Sequence, residues 1–242
     1  MQQTILVTGA NRGLGLVFCR VYSESGHKVI ATCREPKDAT KLLELQKSSR
    51  NIEILALDIT DEKSIDSLIV NLKQLGVKRI DRLINNVGVN SRTVNNNWES
   101  ARYLKQLKRK TLQDSFEINA TSPIILTSKL QKFLKSADSA VVVFISTQRA
   151  SFNDPEPSDK PNYAYAASKV ALNMFVHELA KELKPDGIIP FTVHPGSVKT
   201  DMNPNGVTSA KESAKHIIKI SDNIEMGDAG KFFNYDGTLF PI

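Results

Sequence analysis

The segment that decides the fold is "TILVTGANRGLG", residues 4–15. It begins with a short run of β-branched and apolar residues, as buried strands do, and passes directly into a turn with three glycines. Gly9 permits the sharp turn out of the strand, Gly13 lets the backbone approach a pyrophosphate, and Gly15 lets the next helix pack against the sheet. The start of that helix offers free N–H groups to a phosphate. The segment therefore predicts a nucleotide site after the first strand, although the spacing G-x-x-x-G-x-G differs from the G-x-G-x-x-G form.

The rest of the chain repeats this alternation of a short apolar run and a longer amphipathic segment. Near-continuous apolar runs are typical of strands covered on both faces by helices. Helical segments include residues 15–26 and 61–76, the second of which ends at Gly76. The alternation predicts a single α/β domain over residues 1–242, a doubly wound parallel sheet (Rossmann fold) with helices on both faces. The predicted strands are residues 4–9, 28–33, 52–57, 82–87, 140–146 and 189–195.

Three polar segments interrupt the pattern, and each follows a predicted strand. They are residues 90–100, residues 151–162 with three prolines, and residues 202–213, which begin as a loop and turn helical. Ligands of open α/β sheets bind beyond the carboxyl ends of the strands. We therefore expect these segments to form walls of a substrate site.

Composition excludes several classes of protein. The formal net charge is +6, but Lys and Arg are spread along the chain, so we expect no nucleic-acid partner, and the densest basic stretch, residues 103–110, is interpreted as a solvated helical face. Two cysteines without metal-ligand spacing predict neither a disulfide framework nor a metal site. No apolar run has the length of a membrane span, and the first residues lack the pattern of a signal peptide. We expect a cytoplasmic protein that does not bind membranes.

The end of the second predicted strand bears on which dinucleotide binds. An acidic residue about twenty positions after the glycine turn would indicate NAD, whereas arginine suits the 2′-phosphate of NADP. Arg34 follows Cys33 directly, and Arg12 within the turn is a second candidate for the same phosphate. A shift of one residue would place Glu35 there instead. We predict NADP(H) rather than NAD(H). Asp58, after the third strand, either contacts the adenine or caps the next helix.

The segment "YAYAASK", residues 163–169, contains the strongest candidate for chemistry. Residues four apart share one face of a helix, so Tyr165 and Lys169 form a pair, whereas Tyr163 points about a third of a turn away. A free tyrosine has a pKa near 10. A nearby ammonium group would lower that pKa and suit the tyrosine to proton transfer.

The motifs "TGANRGLG", "LINNVG", "FEINATSP", "ISTQ", "YAYAASK" and "HPGSVKTDM" occur in this order along nearly the whole chain. This set resembles the short-chain dehydrogenase/reductase family, and "HPGSVKTDM" with the ending "KFFNYDGTLFP" is similar to its sniffer-like and C-factor-like carbonyl reductases. The one-residue departure from the family's NNAG, Val87 for Ala, is a packing change. The segments before Tyr165 and before Asn119 look longer than usual, so the substrate does not transfer by analogy.

The resemblance implies NADPH-dependent, reversible reduction of a small ketone or aldehyde. It implies four catalytic residues: Tyr165 as general acid and base, Lys169 on the nicotinamide ribose, Ser146 on the substrate oxygen, and Asn119 holding a water behind Lys169. Val198 and Thr200 are expected to contact the carboxamide. The cofactor contacts that the matched motifs imply are Gly9, Asn11, Arg12, Gly13, Leu14, Gly15, Arg34, Asp58, Ile59, Asn86, Val87, Gly88, Tyr165, Lys169, Pro195, Gly196, Val198 and Thr200.

Two questions stay open at this level. A nucleotide-binding regulatory protein with little turnover is an alternative, although such proteins usually lose the tyrosine or the lysine. The resemblance also implies that a homodimer or homotetramer can form, because family members often pair through the helix that precedes the tyrosine and the helix that carries it. The apolar residues of 168–183 fit that use and an internal core equally well.

Overall fold

The computed structural model of the chain describes residues 2–90, 103–155 and 161–242. Their strands form one parallel sheet in the order β3-β2-β1-β4-β5-β6-β7, which confirms the predicted α/β architecture. The strands are β1 Thr4–Thr8, β2 Lys28–Cys33, β3 Ile52–Ala56, β4 Arg82–Asn85, β5 Val141–Ile145, β6 Ile189–His194 and β7 Phe232–Asn234. The first six match the predicted strands to within two residues at each end. The seventh was not predicted, because three residues are too few to show a period.

Seven α-helices longer than one turn cover the sheet in the described part of the chain. They are α1 Gly13–Glu24, α2 Thr40–Ser48, α3 Glu62–Gln74, α4 Arg109–Phe116, α5 Ser122–Lys135, α6 Tyr163–Leu183 and α7 Ala210–Asn223. A π-helical turn, Glu117–Thr121, joins α4 to α5. None of the described helices combines the length and the apolar character needed to cross a bilayer.

Two hydrophobic cores lie on opposite faces of the sheet, as the alternation of side chains along a strand requires. On one face, Ile5 and Val7 of β1 pack with side chains of α1, α2 and α7. On the other face, Leu6 of β1 packs with side chains of α3, α5 and α6. Phe144 of β5 belongs to this second core, and Ser146 follows it on the same face. The site described below uses that face.

The order of the strands reverses beside β1, which pairs with β2 on one side and with β4 on the other. Connections from these strands leave in opposite directions, so a crevice opens at their carboxyl ends. Helix α1 begins at this edge and directs its N-terminus toward the crevice. The topology therefore brings the glycine turn and the ends of β4, β5 and β6 to one place.

Several local predictions need correction or lie outside the described residues. Residues 103–110 are not one helix: a 3₁₀ turn spans Leu104–Gln106, and α4 begins only at Arg109. The cap of α3 is Asp61, whose carboxylate accepts from the Lys63 N–H, so the capping role considered for Asp58 is wrong. Residues 202–213 do turn helical, at Ala210. The predicted loop at 90–100, beyond Asn90, and residues 156–160 of the second loop lie outside the described part.

Helix α6 divides the apolar residues of 168–183 between two environments. Leu172, Val176 and Leu183 are buried in the core, whereas the side chains of Met174 and Phe175 are 59% and 45% exposed. The buried residues of this segment therefore contribute to the internal core, and the exposed Met174 and Phe175 remain available for pairing with another copy of the chain.

Candidate active site

A cleft of about 750 Å³ runs along the carboxyl ends of the strands. One end is lined by residues that follow β2 and β3, and the other by residues that follow β5 and β6. Most of the predicted site residues line it: Gly9, Asn11, Arg12, Gly13, Leu14, Arg34, Asp58, Ile59, Asn86, Val87, Gly88, Ser146, Tyr165, Lys169, Pro195, Gly196, Val198 and Thr200. The other two predicted site residues, Gly15 and Asn119, do not line the cleft and lie behind its wall.

The glycine turn has the shape that its three glycines predict. Gly9 and Gly13 have φ values of +66° and +55°, a region that favours glycine. A Cβ at Gly15 would lie 2.3 Å from the Gly9 carbonyl oxygen and 2.6 Å from Nδ2 of Asn86. The third glycine therefore lets α1 approach the turn closely. Because the turn presents no side chain from Gly13, its backbone is open to the cleft.

Asn86 ties the end of β4 to the end of β1. Its Nδ2 donates to the Thr8 carbonyl oxygen at 2.9 Å and to the Gly9 carbonyl oxygen at 3.3 Å, and its backbone N–H donates to Thr8 Oγ1 at 3.0 Å. These bonds hold the two strand ends together on either side of the strand-order reversal. Asn86 therefore shapes the turn as well as lining the cleft.

The end of the cleft beyond β2 is open and charged. Arg34 and Glu35 follow β2 there and both are exposed. Asp58 also lines this end, and its Oδ1 accepts from the N–H and the hydroxyl of Thr60 at 2.9 and 2.7 Å. Arg12 does not point freely toward this region: its guanidinium pairs with Asp201 at 3.2 Å. That pair joins the glycine turn to the loop after β6 across the cleft.

Tyr165 and Lys169 lie one turn apart on α6 and both line the cleft, as their spacing predicts. Lys169 is buried, and its Nζ donates to the Ile145 carbonyl oxygen at 2.7 Å. Gly88 leaves room for that amine, since a Cβ there would lie 3.7 Å from Nζ. Tyr163 is exposed at the start of α6 and does not line the cleft.

The electrostatics of the pair differ from the expectation. Burial raises the pKa of Tyr165, while a side-chain hydrogen bond with Thr147 and the charge of Arg149 act in the lowering direction. Burial also lowers the pKa of Lys169 to about 7. Burial disfavours the charged form of an amine, and no carboxylate of the described residues pairs with Lys169, so desolvation acts against the ammonium expected there. Among the described residues, the cation that lowers the pKa of Tyr165 is Arg149.

Ser146 follows β5 directly and is buried at the wall of the cleft. Its hydroxyl donates a 2.7 Å hydrogen bond to Oδ1 of Asn173. Asn173 is four residues beyond Lys169, so Tyr165, Lys169 and Asn173 form one stripe along α6 that faces the end of β5. Nδ2 of Asn173 is buried and has no hydrogen-bond partner among the described residues.

Asn119 lies in the π-helical turn, a form of helix that frequently marks functional sites. Its Nδ2 donates to the Val89 carbonyl oxygen at 2.8 Å and to Ser168 Oγ at 3.0 Å, and its Oδ1 accepts from the Val89 N–H at 2.8 Å. Both donors of the amide are thus used, and one acceptor position remains. Asn119 fixes the segment after β4 against α6, and a water bound there would have to donate to Oδ1.

The loop after β6 forms the remaining wall. Gly196 has φ of +80°, which turns the chain after Pro195. The Val198 N–H donates to the Gly196 carbonyl oxygen at 2.9 Å, so the backbone donor expected for the carboxamide is already engaged. Cβ of Thr200 lies 3.9 Å from the position that a Cβ on Gly13 would take, which brings this loop over the glycine turn.

Sequence reasoning assigned no individual site role to several residues that the fold brings to the site. Thr147 and Arg149 act on Tyr165, Asn173 bonds Ser146, and His194 and Asn162 line the cleft. The i+4 spacing from Lys169 was the available signal for Asn173. The others depend on how loops from different strands meet.

Comparison with known proteins agrees with this geometry. Residues 3–211 match the short chain dehydrogenase family. The NADPH-bound carbonyl reductase from chicken fatty liver has a TM-score of 0.91 and 28% identity, covering 100% of this chain and 99% of that chain. Carbonyl reductase Sniffer of Drosophila melanogaster has a TM-score of 0.88 and 27% identity, covering 100% of both chains. C-signal of Myxococcus xanthus is 31% identical, covering 67% of this chain and 92% of its own length. The chain therefore belongs to the short-chain dehydrogenase family of oxidoreductases.

Proposed function

We propose that this protein reduces a ketone or aldehyde with NADPH, and that Tyr165 supplies the proton. The observation that carries the proposal is the meeting of Tyr165, Lys169 and Ser146 in one cleft with the glycine turn. The three side chains come from the end of β5 and from α6, and the turn comes from β1. A buried amine beside a tyrosine in a cleft is the kind of perturbed ionisable pair that is typical of catalytic sites.

The residues of the cleft fit the dinucleotide. A Cβ at Gly9 would meet Val87 Cγ2 at 3.1 Å, and φ at Gly13 is positive, so the turn is built to keep side chains away from its inner surface. Gly13 and the N-terminus of α1 would hold the pyrophosphate. Arg34, exposed after β2, would bond the 2′-phosphate. The NADPH-bound chicken enzyme named above supports this choice of cofactor. NADPH, when bound, supplies the hydride for the carbonyl carbon.

The protein's own residues supply the proton. In the direction of reduction the general acid must be protonated, and burial raises the pKa of Tyr165, which keeps the phenol neutral near pH 7. The hydroxyl of Tyr165 would donate to the carbonyl oxygen as negative charge develops there. Thr147 and Arg149 stabilise the phenolate that remains.

Lys169 and Ser146 complete the proton path and the binding of the oxygen. With a pKa of about 7, Lys169 gains and loses a proton near neutral pH and is suited to returning one to the phenolate. Ser146 lies at the end of β5, where its hydroxyl would contact the substrate oxygen. Asn119 holds Val89 and Ser168 and so keeps the wall behind Lys169 in place.

The test is the loss of NADPH absorbance with a panel of quinones, α-diketones and aromatic aldehydes, run on the wild type and on Tyr165→Phe. We expect turnover in the wild type and a loss of about 100-fold or more in the variant, with NADPH still bound. Equal turnover of the two proteins would contradict the role of Tyr165. Tight NADPH binding without turnover of any carbonyl would favour a nucleotide-sensing protein instead.

A further inference from the structure

The last residue of β6, His194, lies beside Ser146, and the proposed reduction gives it no role. Ile145 pairs with Val193, and the Ser146 N–H donates to the Val193 carbonyl oxygen at 2.8 Å, so Ser146 and His194 are the next neighbours across the two strands. Neighbours in a sheet direct their side chains to the same face, and adjacent strands lie about 4.8 Å apart. The imidazole of His194 therefore lies beside the hydroxyl that would contact the substrate oxygen.

The ring of His194 is buried but makes no hydrogen bond within the described part of the chain. The residue lines the cleft and is 8% exposed. Neither ring nitrogen has a hydrogen-bond partner among the described residues. Nδ1 is fully buried and Nε2 is not, so Nε2 is the nitrogen that is open toward the cleft. Because buried polar groups are nearly always bonded, this nitrogen indicates a place for a polar group of the ligand.

The surroundings of His194 fix both its charge and its orientation. Burial lowers the pKa of His194 to about 4, although the charge of Asp154 acts in the raising direction. The imidazole is therefore neutral at physiological pH, with one nitrogen that donates and one that accepts. Phe240 packs edge-on against the ring, with the centroids 5.7 Å apart, and itself packs on Phe232. These aromatic contacts hold the imidazole in place.

We propose that the natural substrate is a carbonyl compound with a hydroxyl group one or two carbons away from the carbonyl, and that Nε2 of His194 bonds this hydroxyl. This rests on the proposed reduction, in which Tyr165 and Ser146 hold the carbonyl oxygen. The spacing of the two strands separates the two oxygens by a distance that one or two carbons can span. A hydroxyl both donates and accepts, so it pairs with Nε2 whichever ring nitrogen carries the proton. A charged group would find no opposite charge on this neutral ring. His194 is then a specificity-determining residue.

The test uses two pairs of ketones in which a methyl group of similar size replaces the hydroxyl. The first pair is α-hydroxyacetophenone and propiophenone, and the second is acetone bearing one hydroxymethyl group and methyl propyl ketone. For each pair, kcat/KM is measured for the wild type, His194→Phe and His194→Gln. A hydroxyl alters the reactivity of its own carbonyl equally in every protein. The informative quantity is therefore the change in the hydroxyl-to-methyl ratio between proteins.

We expect this ratio to fall about 5- to 50-fold from the wild type to His194→Phe in at least one pair, because phenylalanine keeps a ring but leaves the hydroxyl unbonded. His194→Gln retains a donor and an acceptor and should keep part of the ratio. His177→Phe is the matched control, since His177 is exposed on α6 and lies outside the cleft; it should leave the ratio unchanged. Equal ratios in the wild type and His194→Phe for both pairs would overturn the proposal while leaving the carbonyl reductase intact.

If no ketone of either pair is reduced, the proposed reduction fails, and nitrogen NMR of the wild type still decides the role of His194. The same measurement replaces the kinetics if His194→Phe does not fold. In the complex with NADP⁺, which has no hydride to give, the Nε2 resonance of His194 should shift with a hydroxy ketone and not with its methyl counterpart. No shift with either hydroxy ketone, or equal shifts within both pairs, overturns the proposal.

Discussion

The hydroxyl of Ser146 donates its proton to Oδ1 of Asn173, at 2.7 Å, in the wall of the cleft. A hydroxyl has one proton, so Ser146 cannot donate to a substrate oxygen while this bond exists. Nδ2 of Asn173 is buried and has no partner in the part of the chain that the structure describes. Turning the amide by half a rotation would place Nδ2 against Ser146 Oγ and release the serine proton. The finding makes Asn173 a positioning residue for Ser146.

Exchanging Asn173 for aspartate tests this directly. A carboxylate only accepts hydrogen bonds, so in Asn173→Asp the hydroxyl of Ser146 would keep donating to residue 173 and could not donate to the substrate. We therefore expect kcat to fall about 10- to 100-fold. Asn173→Ala leaves the hydroxyl free to turn toward the substrate and should reduce kcat less. Steady-state kinetics with one carbonyl and saturating NADPH gives both values. The opposite order, with alanine more harmful than the nearly isosteric aspartate, would indicate a packing role only.

Lys169 should make stability depend on pH. Because burial lowers its pKa to about 7, the unfolded chain holds a proton between about pH 7 and 10 that the folded chain has released. The free energy of unfolding therefore rises with pH in this window, by up to about 1.4 kcal/mol per pH unit from this group. Below pH 7 Lys169 is protonated in both the folded and the unfolded chain, so the full destabilisation by this buried amine is present.

Urea denaturation of the wild type and of Lys169→Met across this window measures the effect. The difference in unfolding free energy between the two proteins should change with pH at this rate, in favour of the wild type as pH rises. Lys73→Met, on the exposed side of α3, is the control and should give a constant difference. A constant difference for Lys169→Met too would show that its amine keeps an ordinary pKa.

Gly15 should tolerate no side chain. The Cβ of Gly15→Ala would lie 2.3 Å from the Gly9 carbonyl oxygen, and backbone cannot yield as a flexible side chain does. We expect a loss of about 2 kcal/mol or more in stability and a large loss of NADPH affinity, because the turn that α1 helps to shape would move. Gly227→Ala is the control, since a Cβ there meets nothing within 4 Å. Thermal unfolding measures the stability, and fluorescence titration measures the affinity for NADPH. Wild-type values of both for Gly15→Ala would contradict the prediction.

Arg34 should decide the choice between the two dinucleotides. Arg34→Asp removes a bidentate donor to the 2′-phosphate and adds an acceptor for a ribose hydroxyl, so kcat/KM for NADPH should fall about 10- to 100-fold relative to NADH. Glu35→Gln tests the alternative that the neighbouring carboxylate contacts the ribose. It should leave the ratio of kcat/KM for NADPH to kcat/KM for NADH unchanged. Unaltered selectivity in Arg34→Asp would refute the role of this arginine.

The sequence by itself determined the order of the elements and the shape of the turn that we propose binds the nucleotide. Short apolar runs predict six of the seven strands found in the described residues, since burial on both faces of the sheet requires such runs. The short β7 lacks the length to show such a pattern. The spacing of Gly9, Gly13 and Gly15 and the i+4 spacing of Tyr165 and Lys169 are local properties of a turn and a helix. Local geometry alone was therefore enough to predict them.

Only the tertiary structure decided what surrounds these residues. The pairing of Ser146 with Asn173, the ion pair of Arg12 with Asp201 and the position of Arg149 beside Tyr165 each join segments that separate loops deliver. Burial also acts against the expected electrostatics, because desolvation lowers the pKa of Lys169 and raises that of Tyr165. Desolvation depends on how the whole sheet and its helices close around a group, and no spacing along the chain records that.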